Sequence, residues 1–414
     1  MAENSKRIAS SNKINYESWS KAELIQKIRS MEGDEFHECS KSTGKPKQKH
    51  FDFSKFNTRF IALRFAYMGW NYNGLNFQYD PTPLPTVEEA ILEAMKKAKL
   101  IMDADPAACE FSRCGRTDKG VSALNQVISL RVRSNLASHE QAERACDEKE
   151  LPYVTILNAL LPLDIRITAV CLRPPEGFDA RFSCVYRHYK YVFSGENLNI
   201  EAMTEAASKF EGENDFRNFC KVDGSKQITN HRRVIHSAKI LPLRDNFFVF
   251  DLKGSAFLWH QVRCMMAILF LTGQGLEKPS IVSDLMDIEK YPSRPLYDMA
   301  HDVPLVLYDC VFPEMEWLSL ATDFGPQQSL KFQKECQKLN GYVVDQKIKS
   351  QIVSMMSDIF ISGNISGLRN TMNLGDGVGR AYKTYVPIKA RPLGETVEQQ
   401  NAKFLEKKKR KIEQ

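Results

Sequence analysis

Cys114-Gly115-Arg116-Thr117-Asp118-Lys119-Gly120-Val121-Ser122-Ala123 is the stretch of this 414-residue chain whose residue types could do chemistry most directly. It is polar, carries two glycines and runs straight into an alternating segment. That is the setting of a loop held by a sheet, where reactive groups concentrate. A single carboxylate, Asp118, stands between two cations, Arg116 and Lys119. Nearby positive charge lowers a carboxylate's pKa and keeps it ionised. An ionised Asp can act as nucleophile or base, and the cations can hold phosphates. The same residues also fit a surface Asp-Lys-Gly turn with an ion pair, and physics alone leaves both readings open.

Arg263 is the only charged residue of the apolar run from Val262 to Leu271, and it falls in the first turn of that helix. The helix dipole disfavours a cation there, and a buried guanidinium needs an acidic partner. Asp118 is one candidate partner; a side chain reaching out to solvent is the alternative. Arg187-His188-Tyr189-Lys190-Tyr191 places Arg187, Tyr189 and Tyr191 on one face of a strand. Cations for phosphates beside rings for an unpaired base are the tools of RNA recognition, although strand tyrosines also serve as plain packing.

Other chemistries lack their residues. The chain has no P-loop and no His-Glu-x-x-His pair, and His37-Glu38-Cys39 has no Pro-Cys-x-x-Cys to complete a deaminase zinc site. Gly375-Asp376-Gly377-Val378-Gly379 lacks the preceding strand and the spacing of a dinucleotide loop. No metal or cofactor is therefore expected. The 57 Lys and Arg against 51 Asp and Glu leave a charge of +6, which permits a nucleic-acid partner without demanding one. Ten cysteines without a Cys-x-x-Cys pair read as free thiols of a reducing compartment. The longest apolar run, Cys264 to Leu271, is far short of the roughly 20 residues a membrane helix needs, and Met1 to Lys13 lacks the apolar core of a secretory signal. No membrane partner is expected.

The elements that would position these residues fall into four stretches. Residues 1–50 form a polar N-terminal arm with one short helix after the capping box Ser20-Lys21-Ala22-Glu23, ending in the Lys-rich Lys45 to Lys49. Residues 51–185 read as the first half of a core: a strand over Arg59–Tyr67, a helix opened by the capping box Thr86-Val87-Glu88-Glu89, and a strand over Gln126–Arg133 with arginines on its outer face. Residues 186–320 repeat the rhythm with strands over Tyr186–Phe193 and Phe247–Lys253 and helices over Glu201–Phe210 and His260–Leu271. Residues 321–414 are a helical, polar extension closing on Lys407-Lys408-Lys409-Arg410-Lys411, read first as a solvated tail and second as a nuclear address or RNA contact. The fold class is α+β: two strand–helix halves, a mixed and largely antiparallel sheet, and a central catalytic cleft.

Taken together, these segments resemble the TruA family of tRNA pseudouridine synthases. Arg116 to Ala123 resembles its catalytic motif, and Tyr67-Met68-Gly69-Trp70-Asn71-Tyr72-Asn73-Gly74 its first-strand exit. Ala180-Arg181-Phe182-Ser183 with Tyr189 and Tyr191 resembles its central motif, and Phe257-Leu258-Trp259-His260-Gln261-Val262-Arg263 its last. The resemblance runs in order from about residue 59 to residue 312. Ser112 to Gly115, Asp215 to Lys221 and Cys264 to Phe270 are similar to the eukaryotic subgroup that acts at positions 38 and 39 of the tRNA anticodon arm. Lys119 and Ser122 depart from the bacterial pattern of Ala and His.

The resemblance implies Asp118 as nucleophile, Arg116 as the residue that helps extrude the target nucleotide, and Arg263 as the arginine paired with the catalytic Asp. It implies Tyr189 against the target base, with Arg116 and Lys119 toward the substrate. It further implies a cofactor-free isomerisation of uridine, tRNA (anticodon stem-loop) as partner, a homodimer, and work in the nucleus and cytoplasm. The alternatives are a synthase of the same family acting on other tRNA or small nuclear RNA uridines, and a non-catalytic tRNA-binding protein of the same fold.

Overall fold

A computed structural model describes residues 51–319, 326–361 and 370–412. The chain divides into Met1–Phe51 and Asp52–Gln414, and every element below belongs to the second unit. The short helix expected after Ser20 and the Lys45–Lys49 run lie outside the described residues.

Strand β1 (Asn57–Tyr67) buries the Ile61, Leu63, Phe65 and Tyr67 face that its alternation sets apart. Helix α1 (Val87–Lys97) begins on the expected capping box: Glu89 N donates to Thr86 Oγ1 at 3.2 Å and Thr86 N to Glu89 Oε2 at 3.2 Å. Its apolar stripe of Val87, Ile91, Ala94 and Met95 packs into the first-half core. Strand β2 (Ser112–Arg113) leads into the catalytic-motif loop, and β3 (Ser122–Ser134) leaves it. Helix α2 (Tyr153–Leu160) and strand β4 (Ile165–Cys171) complete this half. The second half holds β5 (Tyr186–Ser194), α3 (Ile200–Ser208), β6 (Gly212–Asp215), β7 (Arg232–Pro242), β8 (Phe247–Gly254), α4 (Gln261–Gly273), α5 (Ile281–Met286) and β9 (Leu305–Val311). Strand β10 (Leu318–Ser319), helix α6 (Pro326–Ile361), the small hairpin β11 (Thr371–Met372) and β12 (Arg380–Ala381), and helix α7 (Val397–Ile412) follow.

Ten strands make one sheet in the order β10-β4-β1-β3-β9-β5-β8-β7-β6, with β2 on β3. Every pairing is antiparallel except β3 with β9, so the sheet is mixed and largely antiparallel, as the sequence predicts. Strand β9 joins the two halves. It pairs Ala123 of β3 with Leu307, and Leu307 with Tyr189 of β5. The seam thus sets the exit of the catalytic-motif loop and Tyr189 on either side of one residue. Val121 belongs to the second-half core and Ala123 to the first, so the loop straddles both.

The structure adds detail to two surface features. The arginines on the outer face of β3 are structural: Arg131 pairs with Glu110 at 2.7 Å, and Arg133 Nε donates to Lys99 O at 2.7 Å. The basic run from Lys407 forms the last turns of α7, with Lys407, Lys408, Lys409 and Arg410 exposed to solvent. The start of α7 docks where Asn401 Nδ2 donates to Ile228 O at 3.3 Å and Gln227 Nε2 to Asn401 O at 3.2 Å. Among the described residues no helix is long and apolar enough to cross a membrane, no acidic, Cys or His cluster could hold a metal, and all nine cysteines are free.

Candidate active site

The loop from Cys114 to Val121 is fastened at Cys114, Gly115, Thr117, Asp118 and Val121, which is how a polar segment can hold one side chain in a fixed place. Cys114 N donates to Val127 O at 2.9 Å, while Cys114 O accepts from Arg187 Nη2 at 3.0 Å. Gly115 O accepts from Gln126 Nε2 at 2.9 Å. The Thr117 hydroxyl meets the buried Tyr67 hydroxyl at 2.6 Å, and Thr117 O accepts from Leu75 N at 3.2 Å. A turn closes as Val121 N donates to Asp118 O at 3.2 Å.

Two glycines make this fastening sterically possible. A Cβ on Gly69 would lie 2.1 Å from Val121 O, and one on Gly74, which sits at φ +88°, would lie 2.9 Å from Thr117 O. Arg187, whose face with Tyr189 reads as RNA-facing in the sequence, is spent on this scaffold. Besides Cys114 it bonds Ser255 O at 3.0 Å and Arg181 O at 2.9 Å, tying three loops together.

Asp118 projects from the loop with its side chain 37% exposed. Oδ1 accepts from Trp259 Nε1 at 3.3 Å, and Oδ2 lies 3.2 Å from His260 Nε2. The sequence predicts a carboxylate held low by Arg116 and Lys119. The structure differs: burial pushes its pKa above the ordinary carboxylate value. The Trp259 hydrogen bond and the charges of Arg263 and Lys226 oppose that push, and Asp302 adds to it. Arg116 and Lys119 are exposed and have no hydrogen bond or ion pair among the described residues, which leaves them open to a ligand at the loop surface.

His260 begins α4 in the left-handed region, at φ +60°, a conformation unusual for a residue with a Cβ. Its ring stacks on Trp259 with centroids 4.4 Å apart. Burial, then the charges of Arg263, Lys221 and Arg294, lower its pKa to about 4, so the ring is neutral at pH 7. Nδ1 is buried without a partner. The tautomer that leaves no buried N–H unpaired carries its proton on Nε2 and donates to Asp118.

Arg263 does not form the expected direct pair with Asp118. Its Nε donates to Ala300 O at 2.8 Å, and Nη1 lies 3.8 Å from Asp302 Oδ2. The reason is local. The loop over Ala300–Asp302 packs against the start of α4, with Ala300 N donating to Arg263 O at 3.2 Å, and the guanidinium is consumed there. Its charge still reaches Asp118 through space. Tyr189 lies below the same mouth, edge-on to Phe257 at 4.9 Å. Burial drives its hydroxyl pKa far upward, and the Asp118 charge contributes to that rise. Asp118, Tyr189 and Arg263 are therefore brought to one site, with Arg116 and Lys119 on its open side.

The sequence by itself assigns no role to Trp259, His260, Lys226 or Asp302. Trp259-His260 lies within the Phe257–Arg263 motif, and an indole N–H beside an imidazole before a helix is the signal it offers. Lys226 and Asp302 carry no local signature.

A family model described as tRNA pseudouridine synthase matches residues 206–313. A Saccharomyces cerevisiae protein named tRNA pseudouridine(38/39) synthase is 55% identical over 416 aligned positions, which cover 96% of this chain and 93% of that one. The human protein of the same name is 43% identical, over 71% of this chain and 63% of its own. A Caenorhabditis elegans protein named probable tRNA pseudouridine synthase is 38% identical, over 68% and 74%. The chain belongs to the tRNA pseudouridine synthase family. It is an RNA-modifying isomerase.

Proposed function

We propose that this chain converts uridine to pseudouridine at positions 38 and 39 of the tRNA anticodon stem-loop, with Asp118 as the nucleophile. The observation that carries this reading is Asp118 itself: one carboxylate on a loop fastened on both sides of it at the seam of the sheet, hydrogen-bonded by Trp259 and facing His260. The yeast relative supports the target positions, being matched over nearly its whole length.

The reaction balances without a co-reactant. The N1–C1′ bond of uridine breaks, the uracil turns, and a C5–C1′ bond forms; the proton lost from C5 is matched by one gained at N1. Asp118 acts in its ionised form, adding to either the sugar or the base. Trp259 and Arg263 both favour that form against the cost of burial. The neutral His260 orients Oδ2 without supplying a competing charge. Tyr189 provides a ring under the turning base. Arg116, exposed beside the carboxylate, helps to extrude the nucleotide, because a stacked base cannot reach Asp118. Lys119 faces the backbone phosphates.

The same reading makes the enzyme a homodimer working in the nucleus and cytoplasm. An apolar face of α6 supports the dimer, with Ile348, Ile352 and Ile359 each more than half exposed. The decisive test is pseudouridine mapping of tRNA treated with purified wild-type or Asp118→Asn protein. Pseudouridine at 38 and 39 with wild type only, and tRNA binding by both, is the expected result. Near-normal single-turnover rates in Asp118→Asn would remove the assignment.

A further inference from the structure

A cleft of about 620 Å³ opens where the segment after α6 lies against the second half. Lys221, Arg294, Arg380 and Arg391 line it together with Tyr382 and Tyr385. The only acid in its wall is Asp298, already taken by Arg380 at 2.5 Å. Four cations face one carboxylate, so the cleft keeps a net charge near +3. Lys221 has no ion pair among the described residues, and Arg294 buries an Nε without a hydrogen-bond partner.

The rings are set as a platform. Tyr385 donates its hydroxyl to Glu277 Oε1 at 2.6 Å, and Ile388 N donates to the same oxygen at 2.6 Å, which locks the segment. The Arg391 guanidinium sits 5.2 Å from the Tyr385 ring centroid. Tyr382 stands edge-on to Tyr385 at 5.9 Å. Unlike that of Tyr385, the Tyr382 hydroxyl has no partner among the described residues.

Cations in excess over the one acid of the wall, beside rigid rings, match a phosphodiester beside an unstacked base; a simple anion would leave the rings unused. The cleft also touches the catalytic site. Lys221 N donates to Trp259 O at 3.0 Å, and the indole of Trp259 holds Asp118. Eight of the thirteen lining residues come from beyond residue 313, where the family-model match ends, so the cleft reaches outside that shared core.

We propose that this cleft is a second RNA subsite, holding a phosphate and an unstacked base of the substrate at a distance from the target uridine, and that residues 371–394 complete it. The proposal rests on the reading of the chain as a tRNA-modifying enzyme.

The test uses the full chain carrying Asp118→Asn, a folded tRNA transcript, and dissociation constants measured across a salt series. Arg380→Gln is expected to weaken binding and to flatten the slope of log K against log salt by about 0.7–0.9, the loss of one phosphate contact. Tyr382→Ala is expected to weaken binding about fivefold or more with the slope unchanged, as loss of one stacked base requires. Arg380→Lys keeps the charge and is expected to restore the slope; because it alters the Asp298 pair as well, it separates phosphate contact from fold damage. Wild-type affinity and slope in both Arg380→Gln and Tyr382→Ala would overturn the proposal. So would equal losses in Arg380→Gln and Arg380→Lys with no change of slope. Failure of the underlying reading looks different: the chain without Asp118→Asn would bind tRNA and form no pseudouridine.

Discussion

Trp259→Phe removes the hydrogen bond to Asp118 Oδ1 and keeps most of the ring's bulk. Hydrogen bonds to charged groups contribute about 1.5–3 kcal/mol. This one is long, at 3.3 Å, and its acceptor side chain is 37% exposed, so water screens it. About 0.7 kcal/mol is a fair share, and at roughly 1.4 kcal/mol per pKa unit that is about half a unit. The sign follows from which form is favoured. The N–H stabilises the carboxylate, its loss raises the Asp118 pKa further, and the ionised fraction at a given acidic pH falls. The acidic limb of the single-turnover rate should therefore move up by about half a pH unit. On the plateau above the limb, where the rate no longer changes with pH, any remaining difference reports geometry alone. Tritium release from 5-tritiated uridine in tRNA, followed from pH 4.5 to 8 under excess enzyme, measures this. An unmoved limb, or one displaced to lower pH, would refute the view that burial raises the Asp118 pKa and Trp259 restrains it.

Arg263→Met should displace the limb in the same direction, because it removes a charge that favours ionised Asp118 and leaves Asp302 without its guanidinium; Arg263→Lys should displace it less, and pH–rate profiles of folded variants check both. Gly69→Ala should cost about 1–3 kcal/mol in urea unfolding and lower activity together, since the new methyl meets the Val121 carbonyl and a backbone cannot yield as a side chain can. Glu88→Ala should cost about 2–3 kcal/mol by the same measurement: Glu88 is fully buried, and its loss strands Arg113 and the Phe77 amide together. Catalysis should survive dialysis against a chelator once the tRNA has been refolded, because the isomerisation is internally balanced; activity restored only by a transition metal would contradict it.

The parts of the molecule with strong periodicity were readable in its sequence. Strands β1 and β3 alternate in sequence, β5 and β8 are rich in aromatic and branched residues, and α1 carries a capping box that the structure reproduces atom by atom. Strand β7 escaped because charges interrupt its alternation, and α2 because eight residues are too few for a helical stripe to show. At the site, the reactive loop was visible because its composition is unusual. The electrostatics were not. Whether Arg263 meets Asp118 or Asp302 depends on where the loop over Ala300–Asp302 settles, and the depth of Asp118 depends on Trp259, a residue 141 positions away. Burial is a property of the assembled fold, and here it reverses the pKa direction that neighbouring charges alone predict.

Strand β9 has a consequence for how the enzyme comes to be. It is made last among the long strands and inserted between β3 and β5, which are both made far earlier. While the ribosome is still extending the second half, those two strands have open edges with no partner at the catalytic end, and an exposed edge invites wrong pairing. A nascent chain that ends before Leu305 has Asp118 but not the strand that seats its loop opposite Tyr189. Reactivity toward RNA is thus expected to arrive with the closing of the sheet, and a chain truncated before Leu305 should form no pseudouridine and be cut more readily by protease than the full chain.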